Sequence, residues 1–67
     1  MKSFRITSWT THADTPDVTF VVASVLSQVG PLNKTENYEF SVPGRHDSIT
    51  PDFESAVELA LREAGVL

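Results

Sequence analysis

The chain has 67 residues, of which 40% are hydrophobic and 21% are charged, and it contains no cysteine. A chain of this length forms one domain, residues 1–67, and buries only about 60% of its unfolded surface, so without disulfides or thiolate metal sites we expect a partner chain to supply further burial. The formal net charge of −4 makes direct binding to nucleic-acid phosphates unfavourable.

The N-terminal residues and the longest apolar stretch indicate where the protein resides. Lys2, Arg5 and Thr7 interrupt the apolar positions at the start of the chain, so no signal peptide is recognisable. Residues 18–29 form the longest apolar-rich stretch, and they fall short of the roughly 20 residues that a membrane helix needs. We therefore expect a cytoplasmic protein that does not cross a membrane.

The first predicted element is a short strand. Phe4 and Ile6 alternate with the polar Arg5, and Trp9 follows a few residues later. Apolar residues at alternate positions are typical of a strand with one face on a core.

A helix is predicted next, over about residues 16–29. Thr15-Pro16-Asp17 offers an N-cap, a proline at the first helical position and an acidic residue in the first turn. Gly30 and Pro31 would end the helix. The apolar residues follow helical spacing and form one stripe, namely Val18, Val21, Val22, Val25, Leu26 and Val29.

The alternative for this segment is a strand over residues 18–26. The intrinsic preferences of Val, Thr and Phe favour a sheet. Both faces of such a strand would be apolar, however, in a chain too small to cover them. The helix is therefore our main prediction and the strand is the alternative.

The second half of the chain repeats the first at an offset of 35 residues. Residues 50–67 match residues 15–32 at 7 of 18 positions, beginning with Thr50-Pro51-Asp52. Residues 38–42 alternate as a second strand that Pro43-Gly44 ends, and a second apolar stripe predicts a helix over 51–64. The pattern indicates an internal repeat of residues 1–32 and 36–67.

These elements predict an α+β fold of order βαβα. Two strands are too few for a stable sheet, so we expect a homodimer that joins strands across a two-fold axis into a four-stranded sheet with the helices on one face. With residues 18–26 as a strand, the alternative is a ββ(β)α domain.

The two histidines, His12 and His46, are predicted at equivalent loops of the two copies. With Asp14 and Asp47 they offer a mixed set of nitrogen and oxygen donors, but their spacing matches no metal motif. Nucleophilic catalysis would need an activated Ser or Thr, and no nucleophile elbow or glycine-rich oxyanion loop is present. We expect neither enzymatic activity, nor a metal ion, nor a cofactor.

Three large apolar residues are poorly placed by the predicted core pattern, and such residues can anchor interfaces. They are Trp9, Phe20 and Leu59. We expect a small acidic, non-catalytic interaction or regulatory module that acts as a homo-oligomer, with itself and possibly another protein as partners. The alternative is a small-ligand-binding oligomer whose pocket, at the subunit interface, is lined by Trp9, His12 and His46.

Overall fold

The computed structural model describes residues 2–67 and has an α+β fold in which three strands precede one helix. The strands are β1 (Lys2–His12), β2 (Thr15–Val29) and β3 (Leu32–Pro43), and the helix is α1 (Pro51–Glu63). The strands form an antiparallel sheet in the order β1-β2-β3, with β2 in the centre. The structure therefore has the order of the ββ(β)α alternative.

The predicted helix over residues 16–29 is wrong, because these residues form the central strand β2. Thr19, Val21, Ala23 and Val25 are all buried, at the alternate spacing of a strand. The β-branched residues favour this conformation, and two neighbouring strands supply its hydrogen bonds.

The repeated sequence does not form a repeated β-α unit. Thr15-Pro16-Asp17 begins strand β2, whereas Thr50-Pro51-Asp52 caps and begins helix α1. Residues 32–37, which the predicted helix over 16–29 and strand over 38–42 leave unassigned, lie in β3. The same tripeptide is compatible with both conformations, so the tertiary surroundings decide between them.

Gly30 adopts the positive φ expected for a helix cap, but it does so in a hairpin. Val29 pairs with Leu32, which leaves Gly30 and Pro31 as a two-residue connection between β2 and β3. The φ of Gly30 is 60°, and proline holds the next φ negative. Glycine at the first central position with a negative φ at the second is typical of a type II′ hairpin turn.

A bulge in β1 keeps its apolar residues on one side of the sheet. The register passes from Ile6 paired with Ala23 to Ser8 paired with Val22, so Thr7 is an extra residue. The extra residue changes which positions face the helix, and Ile6 and Trp9 both pack against the core although they are three residues apart.

One face of the sheet packs against α1 and forms the core. The helix contributes Phe53, Val57 and Leu61, all buried and spaced by four residues. The strands contribute the other buried apolar side chains, which are Ile6, Val21, Ala23, Val25 and Val42. We call this side of the sheet the inner face.

The predicted second helix is confirmed, together with the signals that bound it. Thr50 is the N-cap, and its side chain accepts a hydrogen bond from the Phe53 amide. At the other end, the Gly65 amide donates to Arg62 O and the Val66 amide donates to Leu61 O. With a φ of 78° at Gly65, these two bonds form a Schellman motif.

Replacing Thr50 by alanine is expected to lower the free energy of unfolding by about 1 kcal/mol, because the Phe53 amide loses its acceptor. Chemical denaturation measures this change. Thr50→Ser keeps the hydroxyl group and is the control, for which we expect a much smaller loss. Equal losses for the two variants would show that the hydroxyl group does not stabilise the helix.

Candidate functional site

The sheet has a second face, turned away from α1, on which no other element of the described chain packs. Cross-strand partners share a face, so the register assigns its members. We call this side the outer face; it comprises Ser3, Arg5, Ser8 and Thr10 of β1, Val18, Phe20, Val22, Ser24, Leu26 and Gln28 of β2, and Asn33, Thr35, Asn37, Glu39, Ser41 and Pro43 of β3.

The middle of the outer face is an apolar row along β2, made of Val18, Phe20, Val22 and Leu26. Phe20 and Leu26 are each 41% exposed, although they lie on the central strand. Val18 and Val22 are half-buried between the flanking strands. A row of this kind is typical of a surface that another protein covers.

Small polar side chains surround the apolar row. Ser24 interrupts it and donates a hydrogen bond to Asn37 Oδ1 on β3 at 2.6 Å. On the other side, the hydroxyl of Thr7 at the bulge donates to Val22 O at 2.8 Å. An apolar centre with a polar border is the usual composition of a protein interface.

His12 lies at one end of the apolar row, as the last residue of β1. Its ring packs edge-on against Phe20, with the ring centroids 5.2 Å apart. The structure therefore brings together two of the residues selected from the sequence, His12 and Phe20.

Trp9 and His46 lie on the opposite side of the sheet, around Phe53 of α1. The His46 ring stacks on Phe53 at 4.6 Å, and Trp9 meets the same ring edge-on at 5.9 Å. The predicted equivalence of the two histidines is wrong, because His12 ends a strand and lies beside Phe20, whereas His46 follows β3 and packs against the helix.

Thr19 organises the connection between β3 and α1, and no sequence pattern indicates this role. It is the buried polar residue of β2, with no exposed surface. Its hydroxyl donates to Gly44 O at 2.8 Å and accepts from the His46 amide at 2.9 Å. The hydrogen bond to Thr19 holds His46 against Phe53, so packing of the fold explains the position of His46.

Leu59, the remaining candidate, lies on α1 and is 57% exposed. It is separated from the outer face by the sheet. Among residues 2–67, no group of three or more His, Asp or Glu side chains is arranged to hold a metal ion.

An exposed polar cluster occupies the inner face near the β2–β3 hairpin. Lys34 Nζ lies 2.8 Å from Glu36 Oε1, and the Tyr38 hydroxyl donates to the other oxygen of Glu36. The hydrogen bonds to Lys34 and Tyr38 lower the pKa of Glu36, and the bond to Glu36 raises the pKa of Lys34 and of Tyr38. The Tyr38 ring is half-buried against the core, but the contacts among the three polar groups are exposed to solvent screening, so we assign these contacts little influence on stability.

A groove of about 510 Å³ runs between β1 and α1. Its apolar lining includes Phe4, Ile6 and Ile49, and its border carries Glu54 and Glu58 of the helix. Neither Trp9 nor either histidine is among its lining residues.

Comparison with known proteins gives no match: no family model fits the sequence, and neither a curated protein nor a solved structure resembles the chain closely enough to be matched. Within residues 2–67, no helix has the length and apolar content that spanning a bilayer requires.

Proposed function

We propose that this chain is a small non-catalytic protein-interaction module that acts as a homo-oligomer, and that the outer face is its contact surface. The observation that carries the proposal is the apolar row on the central strand, with Phe20 and Leu26 both 41% exposed. Burial of such a row in a partner would supply the extra apolar burial that a chain of 67 residues lacks.

The placement of the histidines supports a non-catalytic role. General acid–base chemistry requires groups that converge on one reacting atom. His12 packs against Phe20 on the outer face, whereas His46 packs against Phe53 beneath the inner face. The sheet lies between them, so they share no centre.

Edge-to-edge pairing of strands, the arrangement expected from the sequence, is the competing way to join two copies. With three strands in each chain, it would form a six-stranded sheet with both helices on one face. Strand β3 is the more suitable edge, because its register with β2 is continuous from Leu32 to Pro43, whereas β1 has two irregularities.

Replacing Phe20 by serine is expected to weaken self-association at least tenfold, since a central aromatic side chain is a typical anchor of an interface. Sedimentation equilibrium over a range of concentrations gives the dissociation constant. Leu59→Ser is the matched control, because it removes an equally apolar, 57% exposed side chain from the helix. Unchanged association of Phe20→Ser would contradict the proposal that the outer face is the contact surface.

Thr35→Pro, compared with Phe20→Ser, distinguishes the β3 edge from the outer face, on whose border Thr35 lies. Along an antiparallel strand, successive backbone amides point alternately toward and away from the neighbouring strand. The Gly44 amide points toward β2, because it donates to Asp17 O, and Thr35 is an odd number of positions away from Gly44, so its amide points away from β2. A proline at this position removes a hydrogen-bond donor from the edge and keeps the ladder to β2. Loss of association in Thr35→Pro, with Phe20→Ser unaffected, would identify edge pairing as the correct arrangement.

Small-ligand binding is the second candidate function, and the groove between β1 and α1 favours it. Its volume of about 510 Å³ is within the usual range for ligand sites. A ligand there would contact Phe4, Ile6 and Ile49 and would leave the outer face free. Saturable protection of these three residues in a ligand screen monitored by NMR would support this function.

A further inference from the structure

We propose that the partner on the outer face is a second copy of this chain, stacked face to face about a two-fold axis parallel to the strands, with Arg5 of each copy against the partner's Glu39. This inference rests on the proposed function and specifies the partner and its orientation. It is carried by the distribution of charge on the outer face.

Arg5 and Glu39 are the Arg, Lys, Asp or Glu side chains among the outer-face residues defined above, and His12 lies at the end of that face beside Phe20. They lie on opposite borders, because Arg5 is on β1, Glu39 is on β3, and β2 separates them. Neither residue forms an ion pair within residues 2–67, whereas Lys34, Arg45 and Arg62 each pair with a neighbouring carboxylate. The outer face thus has an apolar middle, one unpaired cation on one border and one unpaired anion on the other.

Of the two orientations that keep the strands of stacked copies aligned, one pairs these charges. An axis parallel to the strands places β2 over the partner's β2 and β1 over the partner's β3, so the apolar rows meet and each Arg5 faces a glutamate border. An axis in the sheet plane but perpendicular to the strands places β1 over the partner's β1 and leaves both charges unpaired. Charge complementarity therefore favours the parallel axis.

The two charged groups are within reach of each other in this orientation. Arg5 is the cross-strand partner of Ser24, and Glu39 is the cross-strand partner of Val22. The positions of Arg5 and Glu39 along the strand direction therefore differ by two residues of β2. Two residues correspond to about 6.6 Å along a strand, and stacked sheets are about 10 Å apart. Extended arginine and glutamate side chains span this separation together. The apolar row beside them would exclude water and strengthen the pair.

The size of the outer face indicates a dimer that dissociates on dilution. Three strands about 4.8 Å apart and about ten residues long have a flat footprint of roughly 14 by 33 Å. This is smaller than the roughly 800 Å² per partner of a standard interface. The dissociation constant is then measurable by sedimentation, which makes a charge exchange an informative test.

Arg5→Glu and Glu39→Arg, made singly, are each expected to raise the dissociation constant about tenfold, and the double variant is expected to return it to within about threefold of the starting value. The single variants move the net charge of −4 in opposite directions by two units. Repulsion between whole molecules would therefore weaken the dimer in Arg5→Glu and strengthen it in Glu39→Arg. Weakening in both, with recovery in the double variant, is specific to a direct pair.

The exposed Glu58–Arg62 pair on α1, with 3.6 Å between Oε2 and Nε, supplies the matched control. Glu58→Arg makes the same change of charge as Glu39→Arg but lies away from the outer face, and it should not raise the dissociation constant. Thermal unfolding of every variant confirms that it is folded.

Four outcomes would overturn the inference: two of them concern the orientation alone, and two concern the contact surface as well. Single variants that leave the dissociation constant unchanged, or a double variant that does not recover, would overturn the orientation while the outer face stays the contact surface. Dimerisation that Phe20→Ser does not weaken, or a chain that is monomeric at all concentrations, would overturn the proposed function as well.

Discussion

Replacing Phe53 by alanine is expected to lower the free energy of unfolding by about 3–5 kcal/mol, the usual cost of removing a fully buried phenylalanine ring. Phe53 has no exposed surface. Its ring stacks on His46 and meets the edge of Trp9, so the truncation leaves two aromatic side chains beside a cavity. A domain of this size has a total stability of roughly 3–10 kcal/mol, so we expect much of the variant to be unfolded.

Urea denaturation followed by circular dichroism measures this loss, and two further variants make it interpretable. Phe53→Leu keeps most of the volume and is expected to lose clearly less than Phe53→Ala. Leu59→Ala, on the exposed side of α1, is expected to change the free energy by no more than about 0.5 kcal/mol. A small loss for Phe53→Ala would mean that the helix does not pack on the sheet through this residue.

Replacing Thr19 by valine is expected to lower the free energy of unfolding by about 2–3 kcal/mol, although the two side chains have the same shape. The substitution leaves Gly44 O without a donor and the His46 amide without an acceptor. Thr19 is fully buried and its two partners are part-buried, and losing the partner of such a group costs about 1–3 kcal/mol. The turn at Gly44, with a φ of 87°, would keep the bond from its amide to Asp17 O but lose its bond to the Thr19 side chain.

The matched control is Thr7→Val, which removes the exposed hydrogen bond from the Thr7 hydroxyl to Val22 O. Solvent can replace that bond, so we expect a loss below about 0.5 kcal/mol. Urea denaturation of the two variants side by side gives the comparison. Equal losses would show that the link from Thr19 to the connection does not stabilise the fold beyond what any threonine contributes.

The helix near the C-terminus could be predicted from the sequence because its signals are local. Thr50 caps it, Pro51 begins it and Gly65 ends it. The stripe of Phe53, Val57 and Leu61 fits helical spacing, and the sequence around it does not alternate. Each of these signals acts within a few residues, so no knowledge of distant contacts was needed.

The central strand was mispredicted because its apolar residues satisfy two periods at once. Val21 and Val25 fit a helical stripe, and they also alternate with Thr19 and Ala23 on the buried side of a strand. The repeat of the tripeptide at residues 15–17 and 50–52 favoured a helix, whereas intrinsic preference favoured a strand. The cross-strand partners of β2 decided the outcome, and a single local segment does not reveal them.

The outer face could be predicted in part, through the strand alternative for residues 18–26. Phe20 was recognised as lying outside the helical stripe, and the strand alternative implied a second apolar face, which is the outer face of the structure. The placement of Arg5 and Glu39 on opposite borders depends on the register between three strands. The extra residue at Thr7 shifts that register, and no sequence signal marks the bulge.

We propose that a second copy covers the outer face in solution. Methyl NMR with a soluble paramagnetic probe tests it directly, because Leu26 lies on the outer face and Leu59 on the helix, with 41% and 57% of their surfaces exposed in the single chain. We expect the Leu26 methyl groups to become protected from the probe as the protein concentration rises, while those of Leu59 stay accessible. Leu26 methyl groups that remain as accessible at high concentration as at low concentration would show that no second copy covers the outer face.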